Sequence, residues 1–360
     1  MNTTELLKIR LVSQQIGETR FNNPKKILEW MGAIQAQDYA MAKWAVGVRI
    51  LNSTDKVITS AIDNGDILRT HLLRPTWHFV SNDDIYWMLE MTAPRLRVSF
   101  KSRHNQLGLS KAILRKSNSI IEKALKGGNH LTREELIAEL GKSKIATDEN
   151  RASHLFAWAE LEGLICSGAT KRGKQTYAIL EERAQKKKPF NKDEALSTLA
   201  KKYFTSRAPA TLQDFVWWSG LSVSAAKHAL EMVAPELIAE KIDSQANWVP
   251  TSFSMPKVND ERVYMLPAFD EYIISYKDRS AALPFETKKK AVSNNGIFRP
   301  VIVLNGQVRG IWKRTIDNDK VSVDVALFEP PSKSMRNLIE EASAEYGLYL
   351  EKRAELNIKF

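Results

Sequence analysis

The stretch "NRASHLFAWAELEGLICSGATKRGKQTYAIL", residues 150–180, joins two kinds of periodicity end to end. Leu155, Trp158, Ala159, Leu161 and Leu164 recur at the spacing of one helix face, and Gly163 stands where such a helix stops. From Cys166 onward, two strand-like ends flank the basic tip Lys171, Arg172, Gly173 and Lys174. Upstream, after the break "KGGNH", the segment "LTREELIAELG" places Thr132 as an N-cap with Glu135 three residues on, ahead of the stripe Leu136, Ile137 and Leu140. Helix, turn, second helix and basic hairpin make a winged helix, a helix-turn-helix variant with an added β-ribbon. Lys171, Arg172 and Lys174 are then candidates for phosphate contact.

The pattern returns beyond the charged linker "ERAQKKKPFNKDEA", which reads as a solvated boundary. In "ATLQDFVWWSGLSVSAAKHALEMV" one helix ends near Gly220, Ser222 caps a second, and Ala226, Leu230 and Val233 face inward; "ELIAEKIDSQANWVP" supplies a shorter wing. A looser version opens the chain: "NPKKILEWMGAIQAQ" and "DKVITSAIDNG" read as helical, and "DILRTHLLRPTWHFVS" as two strands around Arg74-Pro75. The final third is rich in β-branched and aromatic residues, with Asn305-Gly306 as a two-residue hairpin turn and a last helix over roughly "PSKSMRNLIEEASAEYGLYL". The expected class is α+β, tandem winged helices followed by a β-rich region. Its divisions are a first unit over 1–115, a second over 116–185, a third over 190–252 and the β-rich region over 253–360.

Composition fits a soluble chain with several cores: 360 residues, 43% hydrophobic and 26% charged. Lys and Arg number 53 against 42 Asp and Glu, a formal charge of +11 that favours a polyanionic partner such as nucleic acid. The single cysteine, Cys166, excludes an internal disulfide and a Cys-rich zinc site, and reads best as a small buried residue. With no apolar leader and no apolar run long enough to span a bilayer, the expected location is cytoplasmic.

Most catalytic signatures are missing. A P-loop needs glycine five residues before its Gly-Lys pair, where "LIAELGKSK" has Leu136. The dinucleotide fingerprint, the His-Glu-x-x-His zinc pattern and the serine elbow are absent as well, so neither a metal nor another cofactor is expected. What stands out is "AIQAQDYA", residues 33–40, with Gln35 and Gln37 either side of Ala36. From spacing alone the plainer reading is two amides bonding free carbonyls at a helix C-terminus. Asp38 reads as a cap, or as a group orienting one of the amides.

The chain resembles the AlkZ/YcaQ-type winged-helix DNA glycosylases, which excise alkylated purines and unhook interstrand crosslinks. The likeness runs over nearly the whole sequence and rests on "AIQAQD", "LLRPTWHFV", "YMLPAFDEYIISYKDR" and "GIFRPVIVLNGQVRGIWKR". In that family the catalytic signature is Gln, an apolar residue, then Gln or Asp, so the resemblance assigns catalysis to Gln35 and Gln37. One departure is Arg74-Pro75-Thr76-Trp77-His78, where relatives usually have Arg-Gly-Thr-Leu-His; proline stiffens the hairpin and removes a backbone donor.

Amides suit such a reaction. A purine alkylated at N7 is already cationic, so its departure needs no general acid, unlike glycoside hydrolysis by paired carboxylates. The remaining tasks are to hold water against C1′ and to face an oxocarbenium-like sugar, which an amide oxygen can do. Residues i and i+2 diverge by about 200° on a helix, so convergence of Gln35 and Gln37 requires a helix end or a turn. Arg74, Thr76, Trp77 and His78 are the expected DNA contacts of the hairpin, Trp77 as a minor-groove wedge or a core residue. Asp270 in "FDEY" neutralises a basic neighbour or helps position DNA. The expected partner is duplex DNA carrying alkylated purines or crosslinks, bound by a monomer. Two rivals remain at this point: a non-enzymatic winged-helix regulator, and a metal-dependent endonuclease using Asp270, Glu271 and Lys277.

Overall fold

The computed structural model describes residues 1–185, 191–242, 245–254 and 261–360. The backbone groups into two compact units, one made of Met1–Ile58 with Leu196–Phe360 and the other of Thr59–Ala195. Helices and mostly antiparallel sheets build both.

In the 59–195 unit the helix Arg133–Lys142 starts with the anticipated capping box, Thr132 and Glu135 each bonding the other's backbone N–H. The helix Arg151–Leu161 follows, and Gly163 takes the left-handed φ of 67° that ends it. Leu136, Leu140, Leu155, Phe156 and Ala159 close one core with Leu114, Ile121 and Leu125 of the helix Lys111–Leu125. Strands Ile165–Ser167 and Thr176–Ile179 form the expected hairpin, and Leu131–Thr132 adds a third strand beside the latter. At its tip Lys171 and Lys174 bond each other's backbone around Arg172 and Gly173, whose φ values of 52° and 77° define a tight two-residue turn. Cys166 is buried as expected, and burial pushes its thiol up to about 12.

Earlier in the same unit, strands Ile67–Leu72 and Thr76–Ser81 pair with His71 opposite Trp77. The turn between them holds Leu73 at φ 58°, with Pro75 exposed. The helix Ile85–Gln106 comes next; the sequence pattern does not announce it, because Pro94 interrupts a weak apolar stripe.

The other unit carries the helices Thr3–Ser13, Pro24–Met31 and Tyr39–Gly47. The stretch 23–37, read as helical throughout, is not: Gly32 at φ 73° ends the helix at Met31, and Ile34–Gln35 is extended. In the later segment, Thr211 and Asp214 box the helix Leu212–Ser219, Gly220 closes it in left-handed geometry, and Ser222 caps Val223–Val233. Ala226, Leu230 and Val233 are buried, as their spacing predicts. Strands Leu237–Ile242 and Gln245–Pro250 pair antiparallel; positions 243–244 of the expected shorter wing and the part of the charged linker at 186–190 lie outside the described residues.

The C-terminal region is a five-stranded sheet in the order Arg353–Lys359, Lys320–Leu327, Gln307–Ile316, Val301–Leu304, Val263–Leu266. Asn305 and Gly306, both at positive φ, make the expected turn. The helix Lys333–Leu350 packs on the sheet through Ile339, Ala342 and Tyr346, the last edge-on to Trp312 at 5.0 Å. The final strand is parallel to its neighbour, and its polar alternation "RAELNIK" offers little apolar signal in the sequence. Among the described residues no helix is long and apolar enough to cross a membrane.

Candidate active site

Gln35 and Gln37 lie in the link between two helices. The chain leaves Pro24–Met31 at Gly32, runs extended through Ile34–Gln35, and re-enters a helix at Tyr39, where Asp38 accepts the Met41 N–H at 3.1 Å. The cap reading of Asp38 therefore holds. Of the helix end or turn expected here, the chain shows Ile34–Gln35 extended and a bend at Gln37–Asp38, with Ala36 fully buried, Gln35 8% exposed and Gln37 open to solvent.

What fixes this link comes from far away in the sequence. Glu271 Oε1 accepts the Gln35 N–H at 2.9 Å, while Glu271 Oε2 accepts from Arg207 Nη2 at 2.8 Å, Trp218 Nε1 at 2.9 Å and Ser275 Oγ at 2.5 Å. Arg207, fully buried, also donates to the Met31 carbonyl at 2.7 Å and the Ala33 carbonyl at 2.9 Å, and lies over the Trp218 ring at 4.3 Å. One guanidinium and one carboxylate thus hold three backbone groups of Met31–Gln35. A buried ion pair is favourable only when its remaining lone pairs and protons are satisfied, as they are here.

Asp270, the preceding residue, turns to a different cation. Arg49 grips it with two bonds of 2.8 and 2.7 Å and donates to Gln14 Oε1 at 3.0 Å. Gln14 Nε2 donates to Tyr276 Oη at 3.1 Å, and that phenol donates to the Arg207 carbonyl at 3.0 Å, linking the two ion pairs. Burial raises the Tyr276 phenol above its ordinary range, which keeps it neutral and a donor. Of the two readings of Asp270, neutralising a basic neighbour is the one the geometry supports. The endonuclease rival loses its carboxylates, since Asp270 and Glu271 are buried and committed to arginines.

Sequence reading missed Gln14, Arg49, Arg207 and Trp218. Their only sequence signal is the acidic pair inside the apolar run "FDEYII", which demands buried cations without saying where they are.

The hairpin candidates belong to the 59–195 unit. Arg74 and Thr76 are partly exposed at the turn. Trp77 is half-buried, its ring against the Arg69 guanidinium at 4.3 Å and the His71 ring at 4.6 Å, its Nε1 donating to Glu160 Oε1 at 3.3 Å. His78 corrects the expectation: it is fully buried, its Nδ1 lies 3.0 Å from the Thr76 carbonyl, and it has no surface to offer a groove. The strand is buried on both faces from His78 to Ser81, and Thr76 and Trp77 beside the turn keep partial exposure. At the other hairpin tip Lys171, Arg172 and Lys174 are exposed, Lys171 paired with Glu135 at 2.6 Å.

The family described as "DNA glycosylase AlkZ-like" matches residues 28–349. The chain belongs to the AlkZ-like DNA glycosylase family. A curated relative, the interstrand DNA cross-link repair glycosylase of Streptomyces sahachiroi, is 23% identical over 300 residues, covering 78% of this chain and 79% of the relative. The solved structure of Streptomyces sahachiroi DNA glycosylase AlkZ superposes with a TM-score of 0.81 at 18% identity, covering all of both chains, so the AlkZ fold is shared throughout. This AlkZ-like chain is by class an enzyme, a hydrolase of N-glycosidic bonds in DNA, and the regulator rival falls away.

Proposed function

We propose that this enzyme hydrolyses the N-glycosidic bond of N7-alkylated purines in duplex DNA, with Gln35 and Gln37 as the catalytic pair. The observation that carries the reading is the setting of Gln35-Ala36-Gln37: the chain leading into it is clamped from the interior at Met31, Ala33 and Gln35 by Glu271 and Arg207, with Ala36 buried and Gln37 open to solvent. Preorganised dipoles aimed at developing charge cost no reorganisation during the reaction. The amide oxygens hold water against C1′ and face the oxocarbenium-like sugar, and the cationic purine leaves without a general acid. The name of the Streptomyces sahachiroi relative extends the proposed substrates to interstrand crosslinks.

DNA is held, in this reading, by three winged-helix segments, 1–115, 116–185 and 190–252, ahead of the β-rich region 253–360. Arg74, Thr76 and Trp77 approach the minor groove from the hairpin turn, and Lys171, Arg172 and Lys174 bind phosphates from the second tip. Exposed lysines and arginines on a two-residue turn suit backbone contact rather than base reading.

The test is release of N7-methylguanine from alkylated duplex DNA, followed by HPLC with EDTA present, for the wild type, Gln35→Ala and Gln37→Ala. Release by the wild type and losses of about 10²–10³-fold in both variants, the range for removing one charge-stabilising donor, with DNA binding intact, are expected. Wild-type release unaffected by either substitution sinks the assignment of the pair.

A further inference from the structure

A recess of about 650 Å³ lies between the Arg69–Trp77 face of the first hairpin and the second hairpin of the same unit. Arg69, Trp77, Arg133, Glu160, Lys174 and Gln175 are among its lining residues. Two of its cations are fixed in place. Arg69 lies over Trp77, donates through Nη1 to Gln175 Oε1 at 3.0 Å, and is anchored by its backbone N–H on Ser167 Oγ at 2.8 Å. Arg133 donates to Ser153 Oγ at 3.0 Å and sits over Phe156 at 5.1 Å. A guanidinium can stack between two flat partners and bond an anion through its edge.

The recess is not a bare phosphate site. Against Arg69, Arg133 and Lys174 it sets two carboxylates, Glu134 at the rim and Glu160 at the floor. Glu160 is 1% exposed; its Oε2 accepts from the His71 N–H at 2.9 Å and pairs with the His71 ring, while its Oε1 accepts the long 3.3 Å bond from Trp77. That oxygen retains acceptor capacity toward an N–H donor. Cations at the mouth, a stacked guanidinium on the wall and a carboxylate beneath match, in turn, the phosphate, the ring and the amino edge of one nucleotide. The volume is in the range of small-ligand pockets.

We propose that this recess takes a single unstacked nucleotide of the bound DNA, its base stacked on the Arg69 guanidinium and its phosphate on Arg133 and Lys174. This rests on the reading of DNA as substrate and adds a nucleotide subsite that does not involve Gln35 or Gln37. Splayed bases are commonly received on arginine planes and aromatic rings. A fully paired duplex has no such base to offer and leaves the recess unfilled.

Fluorescence anisotropy with the full chain and undamaged DNA tests it, comparing a paired duplex with the same duplex carrying one bulged 2-aminopurine. The wild type is expected to bind the bulged duplex about tenfold tighter, the scale of one stacked base, with a change in 2-aminopurine emission. Arg69→Lys, which keeps the charge but loses the plane, and Arg133→Gln, at a partly exposed position, should both bring the two affinities near parity while thermal melts stay unchanged. Equal affinities in the wild type, or a preference that survives both substitutions, overturn the proposal. Binding to neither duplex overturns the DNA reading beneath it, so the two failures are distinguishable. Because the DNA is undamaged, no outcome depends on base release.

Discussion

The carboxylate of Glu271 accepts the backbone N–H of Gln35 at 2.9 Å, across 236 positions of sequence. Its other oxygen neutralises Arg207, which holds the carbonyls of Met31 and Ala33. Position and charge balance of the glutamine link are therefore set by one buried ion pair.

Glu271→Ala should act on both stability and rate. It leaves the Arg207 charge buried without a partner, which typically costs about 3–5 kcal/mol, and it frees the Gln35 N–H. Denaturant melts measure the first effect. Glu271→Gln separates the second, since its amide oxygen can still accept the Gln35 N–H while Arg207 loses its counter-charge. It should melt early yet retain more base release than Glu271→Ala at a temperature where both are folded. Equal rates in the two variants would show that the Gln35 bond is irrelevant to turnover.

Much of the fold is legible in local chemistry. Thr132 with Glu135, Thr211 with Asp214, Ser222 and Gly220 mark helix ends through interactions spanning three or four residues, and Asn305-Gly306 marks its hairpin in the same way. The glutamine pair is visible in sequence, but its support is not. Arg207 and Glu271 stand 64 positions apart and far from Gln35, and no periodicity encodes a side chain that bonds a distant backbone. The apolar pattern of the helix at Pro24 carries on past Gly32, while the backbone reversal that ends it there depends on glycine's freedom at positive φ. His78 differs for a related reason: a polar residue beside a turn suggests a surface, and this strand is buried on both faces from His78 onward.

Acid should loosen the 59–195 unit. His104 and His154 meet edge to face at 5.3 Å, beside Phe100 and Trp158, and neither His104 Nε2 nor His154 Nδ1 has a hydrogen-bond partner among the described residues. Burial lowers both imidazoles, with His154 adding to the effect on His104, and Arg103 and His71 adding to that on His154. The folded protein thus binds these protons less readily than the unfolded chain. Their contribution is complete above the unfolded value of about 6.5 and is lost as pH falls through the lower folded values. The melting temperature should drop between about pH 7.5 and pH 5, spanning that unfolded value, and His104→Phe should flatten the dependence. An unchanged slope in that variant would place the acid sensitivity elsewhere.

Gly306 should tolerate no side chain. Its φ is 81°, and an added Cβ would lie 2.5 Å from Leu7 Cβ and 2.9 Å from the Tyr272 hydroxyl, which donates to the Gly306 carbonyl at 2.7 Å. Gly306→Ala therefore combines a left-handed strain of about 1 kcal/mol with displacement of the N-terminal helix from the sheet. A loss of about 2–4 kcal/mol, the scale of overpacking plus strain, is expected in urea titration, and a neutral effect would mean that the turn relaxes away from Leu7.

The pH–rate profile should separate amide catalysis from acid–base catalysis. Gln35 and Gln37 do not titrate, and the buried carboxylates nearby, Asp270 and Glu271, are held in ion pairs rather than turned to the reaction. A leaving purine that is already cationic takes no proton from the enzyme. Single-turnover release of N7-methylguanine should therefore be level from about pH 6.5 upward, free of the bell shape produced by an essential acid and base. Below that, the rate should fall only in step with the folded fraction, as the buried histidines charge. Dividing the observed rate by the folded fraction at each pH should restore a flat line. A residual slope of one proton after that correction would require a titrating group in catalysis and would remove the two amides as a sufficient account of the reaction.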